Sequence, residues 1–151
     1  MALYDFLIKV KIKKLTPTAQ LPTQGSDVAA GYDFYADLDS ALEIPPHTTA
    51  KISSGLSIAV PNGFWLGLFA RSGLATKEGL RPANCIGVID PDYRGPVIAA
   101  IHNDSDTTRI IHPGERIGQF ILMERFDWDI QEVDELDDTN RGEGGFGSTG
   151  K

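Results

Sequence analysis

Residues 48–70 read TTAKISSGLSIAVPNGFWLGLFA, and this stretch decides the fold class. Its first part, residues 48–60, is rich in β-branched side chains, which favour strands. Residues 61–63, PNG, then form a tight-turn signal between two apolar runs. Residues 63–70, GFWLGLFA, are the predicted return strand. Apolar runs of this length, bounded by Gly and Pro, indicate buried strands rather than helices.

The same pattern extends outward in both directions. Residues 6–12, FLIKVKI, place an apolar side chain at every second position, as in a half-buried strand. Residues 97–102 and 117–123 are further predicted strands, and only residues 72–77 suggest a helical turn. Sixteen glycines and nine prolines punctuate the 151 residues. Short strands separated by turn residues predict an all-β fold, a jelly-roll-like barrel or sandwich.

Charge and composition exclude several classes of function. The net charge is -7, and residues 127–138 hold seven acids and no basic residue. This balance argues against a protein that coats DNA, which needs a basic face. No apolar run reaches the roughly 18 residues of a membrane helix, and the N-terminus does not resemble a secretory signal. A lone cysteine, Cys85, cannot form an internal disulfide. We therefore expect an intracellular, cytoplasmic protein without nucleic-acid or membrane partners.

The C-terminal part of the chain contains an acidic segment followed by a glycine-rich segment. Residues 127–138 begin with strand-like alternation around Trp128 and Ile130 and end as an exposed acidic connector. Residues 141–151 hold five glycines, too many to bury a core, so we expect a mobile arm attached to a domain of residues 1–140. Its G-x-G-x-x-G and near-Walker A patterns lack the following helix that a Rossmann or P-loop site needs. Closely spaced glycine N–H groups can still bind an anion.

Five segments carry the polar groups suited to chemistry: residues 30–36 (AGYDFYA), 70–75 (ARSGLA), 84–95 (NCIGVIDPDYRG), 116–120 (RIGQF) and 141–150 (RGEGGFGSTG). Each is ambiguous by itself. Asp33 could be a structural hydrogen-bond hub, Gln119 a buried link between strands, and Asp90 a residue that shapes a turn. The three histidines lack metal-ligand spacing, and no G-x-S-x-G elbow marks a serine nucleophile.

In this order, RSGLA, GVIDPDYRG and RGEGGFGSTG resemble the motifs of the trimeric dUTP pyrophosphatases (dUTPases), from about residue 29 to the end of the chain. The resemblance implies a jelly-roll homotrimer with three active sites between subunits, each completed by the arm of a neighbour. The implied reaction is the Mg2+-dependent hydrolysis of dUTP to dUMP and pyrophosphate, between the α- and β-phosphates. This reaction keeps uracil out of DNA and supplies dUMP for thymidylate synthesis.

The resemblance also implies residue roles. Asp90 would be the general base for the attacking water, Gln119 would help hold that water, and Tyr93 would pack on the deoxyribose and exclude a 2′-hydroxyl. Asp33 would support either the water shell of Mg2+ or the motif arginine, while the substrate phosphates hold most of the metal. The remaining expected contacts are Asn84, Val88 and Ile89 to uracil, Arg71, Ser72 and Gly73 to the phosphates, Arg141, Gly147 and Ser148 to the γ-phosphate, and Phe146 stacked on the base.

Small departures from the family pattern occur: Ala70 replaces a common Pro, and Gly118 and Phe120 replace a common Ala and Leu. The nearest rival enzyme is dCTP deaminase, which shares the fold but needs a different base pocket with a catalytic Glu and lacks this tail. A rival of another class is a non-enzymatic jelly-roll module, such as a capsid-like protein or a regulator. The intact set of Asp90, Tyr93, Gln119 and Arg141 argues against such a module.

Overall fold

The computed structural model describes residues 7–145, and this range contains twelve β-strands and one short π-helical turn. The strands are β1 (Lys11–Lys14), β2 (Thr23–Gln24), β3 (Tyr32–Tyr35), β4 (Leu42–Ile44), β5 (Thr49–Ser53), β6 (Leu56–Ala59), β7 (Phe64–Phe69), β8 (Leu80–Pro82), β9 (Gly87–Ile89), β10 (Ile98–Asn103), β11 (Arg109–Ile111) and β12 (Arg116–Glu124). The turn is Leu74–Glu78. The predicted all-β fold is confirmed, as are the helical turn and the strands at β10 and β12. Among the described residues no helix is long and apolar enough to cross a membrane.

The strands form four antiparallel sheets that share one core. The largest has the order β2-β3-β12-β7-β9 and the second has the order β5-β10-β8; β1-β6 and β4-β11 form two ribbons. Buried side chains from all four sheets belong to a single apolar cluster, including Phe34, Ile52, Ile58 and Ile111. The sheets therefore pack face to face, as in a sandwich.

The turn at residues 61–63 joins two sheets instead of closing a hairpin. Phe64 N donates to Pro61 O (3.2 Å), and Gly63 supplies the positive φ of 83° that the turn requires. The predicted return strand exists as β7, but its neighbours are β12 and β9, whereas β6 pairs with β1. The hairpin prediction is wrong because β12 spans nine residues and offers β7 a longer ladder than the four-residue β6.

Two other predicted strands differ from the structure. The N-terminal strand begins at Lys11, and residues 7–10 have no regular secondary structure. The alternation around Trp128 and Ile130 forms no strand: the two side chains are 82% and 83% exposed. A strand requires a partner edge, and within residues 7–145 no strand pairs with this segment. The acidic connector prediction is confirmed, since residues 127–138 are exposed.

Gly118 and Phe120 form one packing unit with Phe34, which explains both departures from the family pattern. The rings of Phe34 and Phe120 are stacked, with centroids 4.3 Å apart and planes at 13°. A Cβ at position 118 would overlap the Phe34 ring and would lie 3.0 Å from Phe69 O. The Phe120 ring gains the Phe34 ring as a stacking partner, and the absence of a side chain at Gly118 leaves room for the Phe34 ring.

Replacing Gly118 with alanine should destabilise the protein by about 1–3 kcal/mol, because the extra methyl overpacks a closed core. Urea denaturation followed by fluorescence would measure this as a lower midpoint at unchanged slope. Gly25→Ala is the matched control, since a Cβ there meets nothing within 4 Å. Equal midpoints for Gly118→Ala and Gly25→Ala would contradict the packing assignment.

Candidate functional site

A pocket of about 230 Å³ opens beside β9, and five of the predicted site residues line it: Asn84, Val88, Ile89, Asp90 and Tyr93. β9 is an edge strand, because in the described part of the chain it pairs with β7 and with no other strand. Its outer backbone N–H and C=O groups are therefore free of sheet pairing. A free strand edge beside a small pocket presents fixed donors and acceptors to a planar polar ligand. We call this the edge pocket.

Asp90 lies at the boundary between the edge pocket and a second cavity. It follows β9 directly and begins a turn in which Tyr93 N donates to Asp90 O (3.2 Å). The second cavity, of about 460 Å³, is lined by Asp90, Asp92, Arg94 and Arg125, among others. The exposed Asp90 therefore borders both a pocket that is uncharged apart from Asp90 itself and a second one lined by several charged side chains. This position suits a carboxylate that acts where a neutral and an anionic part of one ligand meet.

A second group of predicted residues surrounds Asp33 on β3. Its Oδ1 accepts from Arg71 Nε (3.1 Å) and its Oδ2 from Arg116 Nη1 (3.1 Å). The Asp33 side chain is 15% exposed, so both ion pairs are partly shielded from water. Two guanidinium groups on one carboxylate leave one positive charge in excess. We call Asp33, Arg71, Arg116 and Gln119 the arginine cluster, and its charge suits an anion.

Gln119 is fixed beside these arginines by backbone contacts. It lies opposite Asp33 on one side and Phe69 on the other, and its Nε2 donates to Ala70 O (2.9 Å). A Cβ at Gly31 would lie 2.5 Å from Gln119 Oε1, so the glycine leaves space for this amide. Ser72 and Gly73 follow Arg71 directly and are exposed.

The edge pocket and the arginine cluster lie apart within one chain. β9 and β12 flank β7 on opposite sides; Ile89 faces Leu66, whereas Gln119 faces Phe69 three residues further along. With strands about 4.8 Å apart and a rise of about 3.4 Å per residue, Asp90 and Gln119 are separated by on the order of 15 Å. One water molecule cannot contact both side chains of the same chain.

The arm is described only in part. Arg141 is exposed, and its Nε donates to Gly144 O (2.7 Å). Phe146, Gly147 and Ser148 lie outside the described residues, so their predicted contacts stay predictions. Across residues 7–145 no group of three or more His, Cys, Asp or Glu side chains could hold a metal ion.

Arg116, for which the sequence predicts no role, donates to Asp33 in the structure. The only signal was its position at the start of the strand that carries Gln119. Of the two roles left open for Asp33, the geometry favours support of the arginines, since each carboxylate oxygen accepts from one of them.

Comparison with known proteins identifies the family of the chain. A family model described as dUTPase matches residues 17–150, and the chain belongs to the dUTPase family. A deoxyuridine 5′-triphosphate nucleotidohydrolase of Arabidopsis thaliana is 46% identical over 93% of this chain and 82% of its own length. One of Desulfitobacterium hafniense (strain DSM 10664 / DCB-2) is 44% identical, covering 95% and 97%.

Solved structures show the same fold. The dUTPase of Staphylococcus bacteriophage 80alpha with dUPNHPP superposes with a TM-score of 0.82 at 25% identity, covering 95% of this chain and 99% of that one. A mutant dUTPase from phage phi11 of S. aureus, described for the coordination of a structural Mg(II) ion, gives a TM-score of 0.75 at 21% identity, covering 85% and 99%.

Asp33→Asn should weaken binding of a non-hydrolysable dUTP analogue about tenfold, because the amide removes the charge that orients two arginines. Isothermal titration calorimetry would measure the Kd. Asp104→Asn is the matched control, since Asp104 binds Arg81 with two hydrogen bonds (2.6 and 3.0 Å) and lines none of the pockets described above. That contact raises the pKa of the Arg81 guanidinium. An unchanged Kd for Asp33→Asn would remove the cluster from the site.

Proposed function

We propose that this chain hydrolyses dUTP to dUMP and pyrophosphate, the reaction that keeps uracil out of DNA and supplies dUMP for thymidylate synthesis. The observation that carries the proposal is the edge pocket: residues predicted to bind the base, the sugar and the attacking water line one cavity. Family membership and the names of the relatives, deoxyuridine 5′-triphosphate nucleotidohydrolases, support the same reaction.

In this proposal the edge pocket selects the nucleoside. Asn84 and the backbone of Val88 and Ile89 hydrogen-bond the uracil edge, and cytosine is rejected because its amino group would leave these fixed groups unpaired. The small volume leaves no room for the methyl group of thymine. Tyr93 packs against the deoxyribose and excludes a 2′-hydroxyl.

The chemical step uses the Asp90 carboxylate as general base. It accepts a proton from the water molecule, whose oxygen attacks the α-phosphorus as the bond to the pyrophosphate oxygen breaks. A positioned base of this kind contributes about 10²–10⁴-fold to the rate. Arg71, Ser72 and Gly73 bind the phosphate chain. Arg141 pairs with the γ-phosphate, with Gly147 and Ser148 beside it, and Phe146 stacks on the uracil. Mg2+, bound mainly to phosphate oxygens, supplies charge neutralisation when present.

We further propose a homotrimer in which each site takes groups from several subunits. The separation of Asp90 from Gln119 within one chain supports this, since a site that uses both needs two chains. Exposed apolar side chains also support it, because free apolar surface of this kind favours association. They are Phe126, Trp128, Ile130, Val133 and Leu136. Residues 1–140 then form the domain, and residues 141–151 form the arm that completes a neighbouring site.

A chain with a net negative charge is better suited to bind a free nucleotide than the phosphate backbone of a nucleic acid, because binding that backbone requires a basic surface. We therefore propose that the enzyme acts in the cytoplasm on free dUTP, without a nucleic-acid or membrane partner. Focused positive charge at the arginine cluster and Arg141 provides the local attraction for the triphosphate.

Purified protein with Mg2+ should release pyrophosphate from dUTP and only marginally from dTTP, UTP or dCTP. The physical reason is that each rival base or sugar either clashes with the edge pocket or leaves a buried polar group unpaired. A coupled pyrophosphate assay on the four nucleotides measures this. Equal turnover of all four would refute the assigned pocket, and conversion of dCTP to dUTP would indicate the deaminase instead.

Asp90→Asn and Gln119→Ala should each lower kcat, the first by about 10²–10⁴-fold. If a site takes the two residues from different subunits, denaturing and refolding an equal mixture should restore about a quarter of wild-type activity, because random assembly leaves that share of sites intact. Each variant refolded alone is the control. A mixture no more active than the average of its components would show that both residues act within one chain.

A further inference from the structure

The side chain of Arg94, to which the proposed function assigns no role, braces the loop between β9 and β10. Arg94 Nη1 donates to Pro91 O (2.6 Å) and to Tyr93 O (2.9 Å). One guanidinium group thereby spans the turn that carries Asp90 at one end and Tyr93 at the other. Because both acceptors are backbone carbonyls, this contact fixes the path of the main chain.

The far end of the same loop is anchored to the core strand β6. Ser57 Oγ donates to Arg94 O (2.7 Å), and Val97 N donates to Leu56 O (2.8 Å). Val97 is itself buried. The segment after Tyr93 is therefore held against β6, so that Arg94 connects the turn at residues 90–93 to a strand of the core.

Gly95 determines where the Tyr93 ring can lie. Tyr93 Oη donates to Pro96 O (3.0 Å), which folds the side chain back over position 95. A Cβ at Gly95 would overlap the hydroxyl oxygen and would lie 2.6 Å from Cζ and 3.0 Å from Cε2 of the ring. Tyr93 is 44% exposed, so core packing does not hold the ring by itself.

We propose that Arg94 and Gly95 are positioning residues that determine sugar selectivity by fixing the Tyr93 ring against the edge pocket. The inference rests on the proposed role of Tyr93 as the group that meets the deoxyribose. Excluding a single 2′-hydroxyl group requires the Tyr93 ring to be positioned to within about 0.5 Å. A ring that could move away from the pocket would admit the larger sugar. Arg94 fixes the backbone at Tyr93, and the absence of a side chain at Gly95 provides the space that the Tyr93 ring occupies.

The test compares kcat and KM for dUTP and UTP in the variants Gly95→Ala and Arg94→Met. Each variant should reduce the ratio of kcat/KM for dUTP to that for UTP by about tenfold or more, since a displacement near 1 Å can cost about 10²-fold in a positioned site. Gly25→Ala and Arg109→Met are the matched controls and should keep the wild-type ratio. Gly25 has open space around it, and Arg109 binds Glu78 away from the pocket.

A merely structural role would lower the activity on both nucleotides together and leave the ratio unchanged, and this result would overturn the proposal. Arg94→Lys should recover part of the selectivity lost in Arg94→Met, because an ammonium group can still donate to a carbonyl. If Gly95→Ala does not fold, the two Arg94 variants decide the question. A wild-type enzyme that does not discriminate dUTP from UTP would instead refute the role of Tyr93 in the proposed function.

Discussion

The pairing of β12 with β3 and β7 is the contact on which the rest of the structure depends. The β12–β7 ladder is the longest in the described chain, and the two pairings together place Asp33, Gln119 and the end of β7 side by side. The same three strands bury the Phe34–Phe120 stack. The two ladders of β12 therefore both stabilise the core and assemble the arginine cluster. A slip of β12 by one residue would place the Gln119 amide and the Asp33 carboxylate on opposite faces of the sheet.

The edge pocket and the arginine cluster, the two parts of the proposed site, lie apart within a chain, and this has an electrostatic benefit. Arg71 and Arg116 are paired with Asp33, and Asp90 lies two strands away. The carboxylate proposed as the base is therefore not neutralised by the cations proposed to bind phosphate. Negative charge on Asp90 and positive charge in the cluster meet only where a substrate or a neighbouring subunit brings them together.

The sequence predicted those features that depend on local pattern. Strands at β7, β10 and β12 follow from apolar runs between turn residues, and the edge-pocket residues follow from a motif whose members are close in the chain. The β6–β7 hairpin was wrong because strand pairing between distant segments is invisible to a local turn signal. Arg116 was missed because its partner, the carboxylate of Asp33, becomes a neighbour only after folding. Arg94 was missed because its acceptors are backbone carbonyls, which leave no pattern of residue types in the sequence.

The unpaired edge of β9 carries a hazard as well as a recognition surface. Open β-edges template the stacking of further chains, which is the first step of fibril growth. Here the edge is three residues long, and it ends at an aspartate and a proline. The proline has no N–H to extend a ladder, and the charge repels an identical copy laid alongside. In the proposed site, the exposed backbone of β9 is thus long enough to hydrogen-bond one small planar ligand and short enough to disfavour the pairing of further chains.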